Sequence, residues 1–211
     1  YTIPNGDYSV TGNTTLVLTL TESGSSDTGV TPEVAFTNSG DVTDALTNAD
    51  AANQSATEST DGAGPAIVSS RTVTTTTVEV TFSETIEDGT LTTGDFTFSG
   101  FGTGDANAVD TGFSSGTVDD TKVTLTLAAE IGPEETGLVA FSAAGVIDDL
   151  DTEINVSTQS ATVSVADDIR TVPSITSVKT SDEDANGQID RLTIVFSEQV
   201  DVVDVAGDGF S

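Results

Sequence analysis

Five blocks of this chain occur twice, in the same order. Thr15-Leu-Val-Leu-Thr-Leu-Thr-Glu22 reads like Lys122-Val-Thr-Leu-Thr-Leu-Ala-Ala-Glu130, and Val34-Ala-Phe-Thr-Asn-Ser-Gly40 reads like Val139-Ala-Phe-Ser-Ala-Ala-Gly145. Gln54-Ser-Ala-Thr57 returns unchanged as Gln159-Ser-Ala-Thr162. Pro65-Ala-Ile-Val-Ser-Ser70 matches Pro173-Ser-Ile-Thr-Ser-Val178, and Val78-Glu-Val-Thr-Phe-Ser-Glu84 matches Leu192-Thr-Ile-Val-Phe-Ser-Glu198. The offset between partners runs only from 105 to 114 residues. One such match is unremarkable in a chain rich in Thr, Ser and Val; the ordered set marks an array of similar units.

The order of the blocks sets the domain boundaries. Residues 1–63 correspond to the C-terminal half of a repeat, 64–171 to a complete repeat, and 172–211 to the N-terminal half of another. Joining the end to the beginning places Gly207-Asp-Gly-Phe-Ser211 before Tyr1-Thr-Ile-Pro-Asn-Gly6, which parallels Gly94-Asp-Phe-Thr-Phe-Ser-Gly100. The arrangement reads as one two-domain period of a longer tandem array, in which 172–211 continues into a segment like 1–63. The alternatives are terminal halves that pair with each other, as in a permuted domain, or halves completed by a neighbouring subunit.

A repeat of this length has the size of an immunoglobulin-type sandwich. Its strands are legible by alternation: Val78, Val80 and Phe82 point one way along Thr77–Ser83, as do Val123, Leu125 and Leu127 along Lys122–Leu127, with Thr between them. Turns rich in Gly, Asp and Asn separate them, as at Thr103-Gly-Asp-Ala-Asn107. No long stripe of helical period occurs, although Asp41–Asn53 fits a short helical or irregular turn. The predicted fold class is all-β, as tandem immunoglobulin-like antiparallel β-sandwiches.

Three short elements carry a family resemblance. They are Pro65-Ala-Ile67, Phe82-Ser-Glu84 with Ile86, and Gly94-Asp-Phe96; the second copy has Pro173-Ser-Ile175 and Phe196-Ser-Glu198 with Val200. In this the chain is similar to the bacterial and archaeal Ig-like domains that recur in surface-layer proteins, large adhesins and secreted enzymes. The resemblance implies a sandwich outside the cell and does not imply one activity.

Composition removes most chemistry. The chain has no His and no Cys, so imidazole bases, Cys nucleophiles and the usual ligands of zinc, copper or haem are missing. Only carboxylate or hard-cation chemistry is left. A carboxylate glycosidase is disfavoured because nine Phe and two Tyr furnish few rings for sugar stacking. The expectation is a protein that is not an enzyme. Five Lys plus Arg against 35 Asp plus Glu give a formal charge of -30, which repels nucleic acid and anionic membranes. No apolar stretch approaches the ~20 residues needed to span a bilayer. Hydrophobic residues still make up 35% and alternate regularly, so the charge belongs to a folded protein rather than a solvated tail. High salt or bound divalent cations would make it tolerable, and scarce Lys beside abundant Asp and Thr suits a halophilic source.

The sharpest local motif is Ser181-Asp-Glu-Asp-Ala-Asn-Gly-Gln-Ile-Asp190. Asp182, Asp184 and Asn186 fall at positions 1, 3 and 5 of a calcium loop, with Gly187 at the turn. Gln188 offers its backbone carbonyl at position 7, and Asp190 stands at 9. Position 12 is Thr193 instead of a bidentate Glu and the sequence beyond is strand, so a shorter, sheet-embedded Ca2+ loop is expected; the competing reading is a polar hairpin turn. Asp61 and Asp167-Asp168 lie at domain junctions, Asp119-Asp120 and Asp148-Asp149 with Asp151 on predicted loops, and Glu84 and Glu198 follow a core Phe in each repeat. For each, cation binding competes with a purely local role. Sequons at Asn13, Asn53 and Asn155 leave room for glycans but are about as frequent as chance supplies.

The function expected from these readings is a structural repeat of an extracellular surface layer, filament or stalk. It would be cation-stabilised, adapted to high salt, and self-associating with identical or neighbouring repeats. The alternative is the stalk of a calcium-dependent adhesin whose binding module lies elsewhere.

Overall fold

The computed structural model describes residues 8–11, 14–40, 42–46, 48–101, 106–109, 119–132, 135–143, 147–150, 157–169 and 172–201. The N-terminal part contributes β1 (Tyr8–Thr11), β2 (Thr15–Leu18), β3 (Glu33–Phe36) and β4 (Gln54–Glu58). The middle contributes β5 (Ile67–Thr74), β6 (Thr77–Phe82), β7 (Phe96–Ser99), β8 (Ala106–Val109), β9 (Lys122–Leu127), β10 (Gly137–Phe141) and β11 (Val163–Ala166). The C-terminal part adds β12 (Ile175–Ser181) and β13 (Arg191–Phe196).

The seven middle strands hydrogen-bond in the order β7-β10-β11-β5-β6-β9-β8, all antiparallel except β11 with β5. Phe82 on β6 and Phe96 on β7 stand four places apart in that order, yet their ring centroids are 6.4 Å apart. The sheet therefore folds over on itself into two layers, β5-β6-β9-β8 facing β7-β10-β11. That division, with the first strand joining the layers, is the strand arrangement of an immunoglobulin-type sandwich.

The alternation explains the core. Val78, Val80 and Phe82 from one layer and Val123, Leu125 and Leu127 beside them are all buried. They face Phe96, Val139, Phe141 and Val165 from the other. Phe82 stacks on Phe141 at 6.1 Å and 11°. Glu79 breaks the pattern, being buried although it points away from the core. Arg71 and Lys122 cover it from the neighbouring strands, at 3.0 and 3.1 Å.

The repeat seen in sequence recurs as geometry. β5 and β6 pair Ile67 with Phe82 and Ser70 with Val80; β12 and β13 pair Ile175 with Phe196 and Val178 with Ile194. Both hairpins shift register at the same place, between Ile67 and Ser69 and between Ile175 and Ser177. In both, a serine after the last Phe of the second strand closes the hairpin mouth: Ser83 Oγ accepts Ala66 N–H at 2.9 Å, and Ser197 Oγ accepts Ser174 N–H at 3.0 Å.

The environments differ. Ile67 and Val78 are 3% and 0% exposed, whereas their counterparts Ile175 and Leu192 are 51% and 56% exposed. The N-terminal strands behave likewise: Leu16 and Leu18 of β2 are exposed where Val123 and Leu125 of β9 are buried. Strands β1–β2, β3–β4 and β12–β13 are separate two-stranded sheets.

The described residues of the 41–53 stretch take the irregular option. A bridge joins Thr43 to Asp50, and the Asn38 amide organises the turn by donating to the carbonyls of Val42 and Ala51. Helical turns among the described residues are two 3-10 segments, Asp88–Thr90 and Thr93–Asp95. The Gly207–Ser211 and Tyr1–Gly6 blocks, Asp151, and the Asn13 and Asn155 sequons lie outside the described residues.

Candidate metal centres

The predicted loop joins β12 to β13. Carboxylate oxygens of Asp182, Asp184 and Asp190 lie within 4.8 Å of one another, all exposed. Local geometry forces this convergence: Ala185 and Gly187 adopt φ of 58° and 86°, turning the backbone so that its amides point inward. Gly187 N–H donates to Asp182 at 2.7 Å and Asn186 N–H donates to Asp184 at 3.1 Å. The Gly187 amide holds the Asp182 carboxyl below its usual range. Asp190 accepts Glu183 N–H at 3.0 Å, and an ion pair between Glu183 and Arg191 closes the neck.

Asn186 is turned inward on the loop, its Oδ1 accepting Gln188 N–H at 2.9 Å and its Nδ2 donating to Asp184 at 2.8 Å. Three of the five predicted ligands are thus gathered, while Asn186 serves the turn and Gln188 contributes its amide to it. An all-oxygen set with three carboxylates fits a hard cation such as Ca2+. The same hydrogen bonds also describe a self-contained polar turn.

A second cluster was not visible as a unit in the sequence. Carboxylate oxygens of Asp61, Glu84 and Asp149 also lie within 4.8 Å of one another, and all three residues are buried. They converge because Glu84 leaves the end of β6, Asp61 leads into β5, and Asp149 belongs to a segment bridged to Ile86. A cleft of about 450 Å3 opens over them, lined also by Asp27, Gly29, Ser83 and Thr121. The segment before β3 reaches across: Thr28 donates to the Glu84 carboxylate and shares a 2.6 Å bond with Ser83. Asp61 accepts Ala63 N–H at 3.0 Å.

Burial pushes the Glu84 carboxyl up to about 6; the Thr28 bond opposes the rise, and Asp61, Asp149 and Asp27 add to it. Like charges in a partly closed site disfavour one another, and either a proton or a cation relieves them. The sequence signal for this site was the recurrence of Phe-Ser-Glu in both repeats, which set Glu84 and Glu198 apart from the other acids.

Other candidate acids have local duties. Asp168 pairs with Arg71 at 2.8 Å, and Asp167 accepts Ile169 N–H at 3.0 Å. Asp119 and Asp88 exchange bonds to each other's amides at 2.8 and 3.2 Å, while Asp120 accepts Lys122 N–H at 2.6 Å. Among the described residues no helix is long and apolar enough to cross a membrane.

Fold and strand order define an immunoglobulin-type β-sandwich protein with acidic clusters at its turns and joints. No protein-family model and no curated protein matches the chain. Among solved structures it is similar to a crystal structure of the S-layer protein rSbsC(31-844), at 19% identity and a TM-score of 0.41, over 55% of this chain and 15% of that one. It is also similar to the N-terminal part of the bacterial S-layer protein SbsC, at 18% identity and a TM-score of 0.41, over 60% of this chain and 32% of that one. At these values the likeness adds nothing to what the chain's own strand order establishes.

Proposed function

We propose that this chain is a load-bearing structural repeat of an extracellular surface layer, filament or stalk, without catalytic activity. The observation that carries the reading is the parallel pairing of β5 with β11, Ser70 beside Val165 and Arg71 beside Ala166. The chain enters the sandwich at the start of β5 and leaves it at the end of β11. Because the two strands run the same way, entry and exit lie at opposite ends of the sandwich. Tension along the chain then slides β5 against β11, so the bonds between them are loaded together instead of opening one by one.

Those bonds are reinforced along their length. At the entry, Gln159 grips the Ile67 backbone; in the middle, Ser70 Oγ donates to the Ser164 carbonyl at 3.2 Å. At the exit, buried Thr72 Oγ accepts Asp168 N–H at 2.7 Å, beside the Arg71–Asp168 ion pair. Ile67 to Thr72 spans about 17 Å at ~3.3 Å per residue. Such a unit sets spacing and stiffness in an array and needs no binding site of its own. It would serve equally as the stalk of a calcium-dependent adhesin.

Cations belong to the same reading. Calcium held by Asp182, Asp184 and Asp190 would fix the β12–β13 turn, with Asn186 and the Gln188 carbonyl completing the set. A divalent ion at Asp61, Glu84 and Asp149 would weld the preceding segment to the sandwich. The large negative charge would keep such an array hydrated and soluble in brine.

The test is single-molecule pulling of the chain in two directions. Traction applied at residues before β5 and after β11 should require a markedly higher unfolding force than traction applied across the β8 edge. Equal forces in the two directions would reject a load-bearing role.

A further inference from the structure

We propose that Asn186 is a self-modification site, where the β12–β13 loop loses ammonia and gains a carboxylate that unseats its own turn. Three consecutive residues, Asn186, Gly187 and Gln188, carry the inference, independently of the structural-repeat reading.

Asn186 is exposed on the hairpin loop, and its side chain folds forward over the next peptide: Oδ1 accepts Gln188 N–H at 2.9 Å. A bond that reaches two residues ahead carries the side-chain carbonyl carbon, Cγ, across the Gly187 nitrogen. The same bond draws electrons from Cγ and faces the oxygen on which charge develops when that carbon is attacked. Gly187 N–H donates to the Asp182 carboxylate at 2.7 Å, a charge-assisted bond that leaves the nitrogen richer in electrons. Gly187 has no side chain to obstruct the approach, and a Cβ there would meet nothing within 4 Å. Nδ2, the leaving nitrogen, is held by Asp184 at 2.8 Å. Nucleophile, carbonyl and leaving group are thus oriented within one turn.

The step balances within the loop and one water. Gly187 N attacks Asn186 Cγ, the bond from Cγ to Nδ2 breaks, and the Gly187 proton leaves with Nδ2 as ammonia. A cyclic succinimide remains, which water opens. Cleavage between Cγ and the Gly187 nitrogen yields aspartate in the normal chain. Cleavage at the Asn186 main-chain carbonyl yields isoaspartate, with the chain running through the former side chain. Nothing is oxidised or reduced.

A second Asn makes the contrast. Asn38 forms the same side-chain turn, its Oδ1 accepting Gly40 N–H at 3.2 Å, but the residue between is Ser39, whose side chain crowds its own nitrogen. Asn38 is expected to persist where Asn186 converts.

Conversion changes what the loop can do. An oxygen in place of Nδ2 faces the Asp184 carboxylate where a hydrogen bond had been, and two acceptors of like charge repel. The turn no longer holds itself together. A hard cation would bridge the two carboxylates, a step that alone rests on the calcium reading.

The full-length chain is kept at neutral pH in molar NaCl, beside the same chain in urea, then digested for mass mapping. Asn5, the other Asn followed by Gly, is scored separately from Asn186. Folded Asn186 should show the mass gain of OH replacing NH2 at least as fast as in urea, with Asn38 intact. Asp182→Asn keeps an acceptor for Gly187 N–H without the charge and should slow conversion several-fold. Asn186→Asp, made directly, should speed hydrogen exchange of residue 186's own amide in metal-free buffer, since Asp182 and Asp184 hold that amide at 3.1 Å. A folded Asn186 that stays intact while the denatured chain converts would overturn the proposal. So would a rate untouched by Asp182→Asn, or exchange untouched by Asn186→Asp. Conversion is read without calcium or force, so its failure would spare the load-bearing reading.

Discussion

Gln159 holds Ile67 by both sides of its peptide. The Ile67 N–H donates to Gln159 Oε1 at 2.7 Å, and Gln159 Nε2 donates to the Ile67 carbonyl at 3.0 Å. The two residues are 92 positions apart, so the pair ties the entry of the sandwich to the loop that leads into its last strand. Replacing Gln159 by Ala leaves two partly buried backbone groups without these partners. A loss of about 1–3 kcal/mol is expected, measured by denaturant unfolding. Gln159→Glu should cost at least as much, since a carboxylate accepts from Ile67 N–H but repels its carbonyl.

Core substitutions should separate the complete unit from the exposed hairpin. Phe82→Ala removes a buried ring that packs on both Phe96 and Phe141, and about 3–5 kcal/mol of stability should go with it. Phe196→Ala, at the matching place in β13, should leave unfolding of the central sandwich unchanged. Separate transitions followed by calorimetry check both.

Glu84 gives the sandwich an unusual acid response. Its carboxyl titrates at about 6 when folded and near 4.5 when unfolded. Between those values the folded chain binds more protons, so stability rises as pH falls from about 7 towards 4.5. The gain is at most about 2 kcal/mol, and Glu84→Gln should abolish it. Below that window Glu79 acts in the opposite sense. Burial would raise its carboxyl, but the bonds and charges of Arg71 and Lys122 outweigh burial and hold it low. Its contribution is present above 4.5 and is lost as pH falls through its lower folded value. Thermal melts across this range should therefore pass through a maximum near pH 4.5, and millimolar Ca2+ should flatten the upper limb if an ion replaces the proton at Asp61, Glu84 and Asp149.

The β12–β13 loop separates calcium from general screening. Millimolar Ca2+ should raise protection of the Asn186 and Gly187 amides in hydrogen exchange, and Asp184→Ala should remove that gain. Equal protection from molar NaCl alone would assign the loop to turn geometry.

Local features of the fold were legible in the sequence and long-range ones were not. Val78, Val80 and Phe82 announced β6 through alternation, because a two-residue period needs only neighbours to be seen. Asp182, Asp184 and Asp190 announced a loop because all three lie within one turn. Asp61, Glu84 and Asp149 did not announce a cluster, since folding alone joins acids so far apart. Gln54 and Gln159 stood out as a matched block, yet the grip on Ile67 depends on β5 and β11 lying side by side. Glu79 alternates with the core side chains of β6, and its burial follows from Arg71 on one neighbouring strand and Lys122 on the other.

The central claim is that the contact between β5 and β11 bears load. The most direct measurement compares unfolding forces along the chain for Gln159→Ala, Thr72→Val and Val80→Ala. Each is expected to lose a similar amount of equilibrium stability, about 1–3 kcal/mol. The account predicts that force falls clearly for Gln159→Ala and Thr72→Val and scarcely for Val80→Ala, whose contacts lie within the core. Forces that track equilibrium stability alone, with all three variants weakened alike, would contradict it.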